Sequence, residues 1–224
     1  PAALQPVTLA ALASRARWAE ALLIALEAGR IPVASVPTDL ARKLKALPGE
    51  SIARLTERLW PQLRQPTSAE LEREIHRLAE VINLATGSPY PGKKLFLERC
   101  GTCHKLFTKG GDVGPDLTVY QRTDLPNLLL NIVNPNAEIR EGFESFQAET
   151  HDGRTLFGFL AAQTPRNIVL RTPDGQSVPL DRDNLQSLTP AGSSLMPEGL
   201  LSDLSDQQVR DLFAYLRSTQ PLND

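Results

Sequence analysis

Cys100, Cys103 and His104 stand in the order Cys-x-x-Cys-His, and they include the only cysteines of a 224-residue chain that has three histidines. Chance placement gives this arrangement roughly once in eight thousand sequences of the same composition, and it reads as c-type haem attachment. The spacing has a chemical reason. Two thiols held one short turn apart each reach a vinyl group of a haem and form a thioether, and the residue that follows then lies under the iron, where an imidazole becomes the proximal ligand. The expectation is one covalent haem c, tethered by Cys100 and Cys103 and ligated by His104. Two other uses of paired cysteines compete. A dithiol redox motif usually sits near a βαβ pattern, and none is evident. A structural zinc takes four ligands, normally from two separated pairs, and the sequence has no second pair.

Iron in an electron carrier needs a second axial ligand. Met196 is the only methionine, placed in a loop before Pro197 and close to the last helical segment. A thioether opposite histidine favours ferrous iron and raises the reduction potential; the plainer role for a lone methionine is to fill a core. Position and context favour Met196 as a ligand. His76 lies off the apolar stripe of its helix and His151 ends a strand beside a turn, so both read as solvated. A ligating imidazole usually gives its other N–H to a carbonyl, and Pro115, in Gly114-Pro115, is the candidate acceptor. Arg122 is either the partner of a haem propionate or an ordinary surface arginine.

The elements that must position these residues fall into two stretches. Residues 1–87 are rich in Leu, Ala, Arg and Glu and read as short helices. Trp18, Leu22, Leu23, Leu26 and Ile31 follow roughly helical spacing; Leu40, Leu44 and Leu47 mark a second helix, and Ile52, Leu55, Leu59 and Trp60 a third. Thr67 with Glu70 predicts a capping box that opens a helix carrying Leu71, Ile75, Leu78, Ala79 and Ile82 on one face. Paired short helices suggest a helical-repeat fragment. The break at Ser88-Pro-Tyr-Pro91 divides this part from residues 88–224. Pro91 suits the first turn of a helix leading into the cysteines. Residues 105–118 read as a Gly-rich loop, and a helix is expected around 125–133. Asp152-Gly153 and Asp174-Gly175 are hairpin turn signals, flanked by strands near 144–151, 154–163, 167–172 and 177–181. Ser205 with Gln208 predicts a second capping box and a final helix through Leu212, Tyr215 and Leu216.

Composition sets outer limits. The chain is 41% hydrophobic and 22% charged with a formal net charge of −2, which suits a globular protein and supplies no bulk field for nucleic acid or anionic membranes. No apolar run approaches the roughly 18 residues of a membrane span. No signal peptide is evident and the chain starts at Pro1, so it reads as a processed or excised piece of something longer.

Gly92, Phe96, Cys100, Cys103, His104, Gly114-Pro115, Met196 and the helix ending Leu212-Phe-Ala-Tyr215-Leu resemble a small soluble cytochrome c of the His/Met type. The resemblance implies that the first and last helices of residues 88–224 cross at Gly92, with Phe96 and Tyr215 packing beside it. Residues from about 91 to 217 resemble more narrowly the haem-binding domain at the C-terminus of large secreted proteins of planctomycetes and verrucomicrobia, through Gly111-Asp-Val-Gly-Pro-Asp-Leu-Thr118, Leu128-Leu-Leu-Asn-Ile132, His151-Asp-Gly-Arg154 and Ser194-Leu-Met-Pro-Glu-Gly-Leu200. The expected fold class is therefore mainly α: an N-terminal helical-repeat-like segment, then a cytochrome c fold with a small antiparallel β insert at about 143–190. The expected function is an electron-transfer module, not itself an enzyme, that passes electrons from a dehydrogenase to another cytochrome or an oxidase. A haem-based sensor or enzyme with a labile sixth ligand is the alternative, and an interaction scaffold a third. Haem attachment to reduced cysteines requires maturation on the outer side of the cytoplasmic membrane, so the expected setting is periplasmic or extracytoplasmic.

Overall fold

The computed structural model describes residues 6–45, 47, 49–61 and 66–223. The chain divides into two compact units, one of Pro1–Gln65 with Gln147–Leu156 and Asp181–Thr189, the other of Pro66–Phe146, Phe157–Leu180 and Pro190–Asp224.

The first unit contains α1 (Pro6–Leu12), α2 (Ala16–Glu27), α3 (Thr38–Lys45) and α4 (Glu50–Leu59). Their apolar stripes do what amphipathic spacing requires: Leu22, Leu23 and Leu26 of α2 are buried, as are Leu40 and Leu44 of α3 and Ile52 and Leu55 of α4. Trp18 departs from its stripe. It stays 45% exposed, with the Arg15 guanidinium 4.6 Å from its ring centroid. The same unit holds the turn around Asp152, where Thr155 donates its N–H to the Ser14 carbonyl at 3.1 Å and Arg15 donates to the Asp152 carbonyl. The first two compact segments in chain order divide between Gln65 and Pro66.

The second unit holds α5 (Ser68–Leu84), α6 (Pro89–Arg99), α7 (Leu125–Val133) and α8 (Asp206–Leu216). Both capping boxes form: Thr67 and Glu70 exchange side chain for backbone at the start of α5, and Ser205 and Gln208 do so at α8. Each satisfies two amide donors that a helix start leaves orphaned. Leu78, Phe96, Leu106, Leu129, Val209, Leu212, Phe213 and Tyr215 form the centre of the core, with Cys100 and Phe107 packed against its edge.

Among the described helices, α6 and α8 have the most extensive contact. A Cβ on Gly92 would lie 1.9 Å from the Asp211 carbonyl oxygen and 3.0 Å from Tyr215 Cβ, so only glycine lets the two backbones approach this far. The Phe96 and Tyr215 rings pack beside the crossing with centroids 5.5 Å apart. Asp211 is buried, and its carboxylate accepts from the Ser88 N–H at 2.7 Å and from Gln207 Nε2 at 2.8 Å.

Strands change the fold class. Besides the two-residue strands β1 (Lys105–Leu106) and β2 (Lys109–Gly110), the chain forms β3 (Ser145–Thr150), β4 (Thr155–Gln163), β5 (Asn167–Arg171), β6 (Ser177–Asp181) and β7 (Leu185–Pro190). The last five make one antiparallel sheet in the order β6-β5-β4-β3-β7. The mainly-α expectation with a cytochrome c fold is therefore corrected: the protein is a mixture of helices and a five-stranded sheet. The expected four strands understate the sheet because β7 returns, after the 3-10 turn Arg182–Asn184, to pair beside β3. Its sequence, Leu-Gln-Ser-Leu-Thr-Pro, carries few β-branched or aromatic residues, so its strand state comes from its neighbour more than from its own propensity. Among the described residues no helix is long and apolar enough to cross a membrane.

Gly92→Ala is expected to destabilise the chain by about 2–3 kcal/mol through overpacking, although the same change in an exposed helix stabilises by about 1 kcal/mol. A urea or thermal melt beside the unsubstituted protein measures it. An unchanged or raised midpoint would show that the crossing yields easily.

Candidate haem-attachment site

Helix α6 delivers the cysteines and then stops in a way that fixes them. The amides of Cys100 and Gly101 both donate to the Phe96 carbonyl, at 2.8 and 2.7 Å, and the chain continues as one further turn in which Cys103 and His104 donate to the Cys100 carbonyl at 3.1 and 2.8 Å. The two thiols and the imidazole thus leave a single hydrogen-bonded turn.

The segment after His104 doubles back over this turn. β1 and β2 pair as a minimal hairpin whose Phe107 has φ of +58°, an uncommon conformation for an aromatic residue. It is held by the Thr118 hydroxyl, which accepts from the Phe107 N–H at 2.7 Å. The chain then lies against the turn: Gly111 donates to the Gly101 carbonyl at 2.8 Å and Gly114 to the Cys103 carbonyl at 2.7 Å. A Cβ on Gly114 would stand 2.7 Å from His104 Cε1 and 2.9 Å from Nδ1, so this glycine lies flush on the imidazole.

His104 Nδ1 is 2.9 Å from the carbonyl oxygen of Pro115. A carbonyl only accepts, so Nδ1 carries the proton and the neutral ring keeps its lone pair on Nε2, the atom an iron would take. Burial pushes the imidazole below its ordinary pKa, with the Pro115 bond pulling the other way, and the neutral form is favoured. Both thiols are partly buried. Burial pushes the Cys100 thiol up to about 11 and moves Cys103 in the same direction. The turn therefore carries two protonated thiols and a neutral imidazole.

Met196 is half-buried in the same compact unit. Its N–H donates to the Ser194 hydroxyl at 3.1 Å. Sequence reasoning missed the residue that braces this loop: Asn136 accepts from the Ser194 N–H at 2.7 Å and donates to Glu198 at 2.8 Å, bracketing the methionine from both sides. The only available signal was the Asn134-Pro-Asn136 turn chemistry, which does not say what the amide reaches. Thr118 was missed for the same reason.

Arg122 sits neither on the open surface nor in a simple ion pair. Nη1 donates to the carbonyls of Leu216 and Ser218 at 2.6 and 2.7 Å, the guanidinium lies 5.1 Å from the Phe107 ring centroid, and Nε is buried without a partner. That orphaned donor, which is costly when left unmade, suits a carboxylate such as a haem propionate. His76 and His151 are both exposed. Among the described residues no three His, Cys, Asp or Glu side chains gather around a common metal position. A haem would ask less of the protein, because its own nitrogens would fill most of the iron's coordination and the chain would supply only His104 and Met196. The tautomer of His104, the glycine flush on its ring and the free Nε of Arg122 fit such a group. Comparison with known proteins returns no matching family model and no matching curated protein.

The haem-free chain is expected to lose stability as pH falls. The folded pKa of His104 lies below its unfolded value, so the unfolded chain binds the proton first. Stability is full above the unfolded value of about 6.5, declines as pH drops through it, and is fully lost below the lowered folded value. Urea midpoints on either side of that pH measure the effect, and His104→Asn should flatten the difference. Equal pH dependence in the two proteins would rule out His104 as its source.

Proposed function

We propose that this protein is a c-type haem protein that carries electrons, with one haem tethered by Cys100 and Cys103 and held on the iron by His104 and Met196. The observation that carries the reading is the Cys100–His104 turn, in which both thiols and a neutral imidazole with its Nδ1–H given to Pro115 leave one hydrogen-bonded loop. When bound, the haem supplies one-electron chemistry at its iron. The chain's own residues do the rest. The cysteines hold the group through a change of charge, Pro115 and Gly114 fix the imidazole plane, and Met196 offers a soft sulfur that favours the reduced state. Arg122 offers its unmatched N–H to a propionate. The resemblance of residues 91–217 to secreted haem-binding domains supports the same reading; the donor would be a dehydrogenase, the acceptor another cytochrome or an oxidase, and the maturation that covalent haem attachment requires places the proposed setting in the periplasm or otherwise outside the cytoplasm.

Protein matured with a c-type assembly system is expected to give a pyridine haemochrome spectrum of thioether-bound haem and, when oxidised, the weak far-red band of methionine sulfur on ferric iron. Met196→Ala should lose that band, lower the midpoint potential and admit carbon monoxide to the ferrous protein. Carbon monoxide binding to the unsubstituted protein would instead favour a sensor or enzyme with a labile sixth ligand. Absence of covalent haem would overturn the reading.

A separate variant tests the imidazole cradle. Gly114→Ala, whose new methyl meets the His104 ring, should reduce haem incorporation or broaden the spectrum while leaving Cys100 and Cys103 alkylatable in the haem-free chain. Full incorporation with an unchanged spectrum would show that the ring orientation does not depend on Gly114.

A further inference from the structure

The sheet has a tip that reaches the attachment turn. β5 and β6 are joined by the turn Thr172–Gln176, closed by Thr172 donating to the Gln176 carbonyl at 2.9 Å and Gly175 to the Thr172 carbonyl at 2.8 Å. Two contacts and one close approach bring this hairpin to the haem motif. Arg171 Nη1 donates to the Asp112 carbonyl at 3.0 Å. A Cβ on Gly175 would lie 3.4 Å from Val113 Cγ2, and Val113 itself is buried. The Pro173 carbonyl oxygen lies 3.9 Å from Cys103 Sγ. The Arg171 bond and the approach of Gly175 to Val113 tie the hairpin to the Gly-rich segment that doubles back over the cysteines, and the Pro173 carbonyl brings the turn to the edge of one half-buried thiol. Cys100 packs against the helical core instead.

We propose that the β5–β6 hairpin is a cover for the Cys103 edge of the attachment turn, keeping water off that side of the haem and so raising its reduction potential. The inference rests on the electron-carrier reading for its effect on potential, but not for the cover itself. The physical argument is dielectric. Oxidised iron carries one more positive charge than reduced iron, and water stabilises that charge. Excluding water from one edge therefore favours the reduced form, in line with the control of haem potentials by burial. It also gives the sheet a role at the site: an insertion between the Gly-rich segment and the methionine loop is placed to lean on the former.

Two readouts test it. In the haem-free full-length chain, iodoacetamide alkylation is followed at each cysteine by mass spectrometry. The double variant Arg171→Ala with Val113→Ala removes both anchors and should speed alkylation of Cys103 several-fold with Cys100 unchanged. Arg171→Lys, which keeps a donor, should retain most of the protection, and Arg166→Ala, in the β4–β5 turn at the other end of β5, should change nothing. In the haem-loaded protein, the double variant should show a lower midpoint potential than both the unsubstituted chain and Arg166→Ala. An unchanged Cys103 rate, or equal acceleration of both cysteines, overturns the cover. Selective acceleration with an unchanged potential overturns its action on the haem. Failure of the chain to take up haem at all removes the electron-carrier reading, while the alkylation pattern still decides whether the hairpin shields Cys103.

Discussion

The second compact unit depends on the backbone contact between α6 and α8. Gly92 lets α8 come close enough for the Asp211 carbonyl to sit where a side chain would otherwise be, and Asp211 then uses its carboxylate to satisfy the Ser88 N–H at the start of α6. One residue thus sets both the distance and the start of the helix that carries the cysteines. Phe96 and Tyr215 fill the space beside the crossing, and Tyr215 also meets the edge of Phe107 at 6.5 Å. Arg122 stacks on Phe107 and ties off the carbonyls at the end of α8. The Cys100–His104 turn is held at one end by α6 and along its side by residues whose positions α8 determines.

The Gly-rich segment solves a different problem. A turn bearing two protonated thiols and a neutral imidazole has few polar side chains with which to satisfy its backbone, and unsatisfied carbonyls at a buried site are costly. Gly111 and Gly114 supply donors to Gly101 and Cys103 from a chain that must lie almost in contact with the turn. Burial keeps the site uncharged, which explains in one stroke the raised thiols and the lowered imidazole.

The long interval between His104 and Met196 also has a structural explanation. The sheet begins and ends at one place: Ala191 donates to the Ser145 carbonyl at 2.8 Å, and the Ser145 hydroxyl donates to the Ser193 carbonyl. Closing a long loop costs little more entropy than closing a short one, so the excursion returns the chain to Asn136 almost as if it were absent. The methionine loop is then built against α7's end rather than against the sheet's sequence.

Much of this was legible in the residues. The Cys-x-x-Cys-His spacing is a property of a single turn, both capping boxes are contained in four residues each, and the hairpin turns at Asp152-Gly153 and Asp174-Gly175 rest on local backbone preference at glycine, where φ is +80° in both. Amphipathic stripes likewise announced α2 to α5 and α8. What tertiary structure alone decided involves partners distant in the chain. The strand state of β7 depends on β3, the orphaned Nε of Arg122 on the end of α8, and the bracing of Met196 on Asn136. Local spacing determines which conformations a segment prefers, because those preferences arise within a few residues; it carries no information about which distant carbonyl or amide will be nearest once the core has closed.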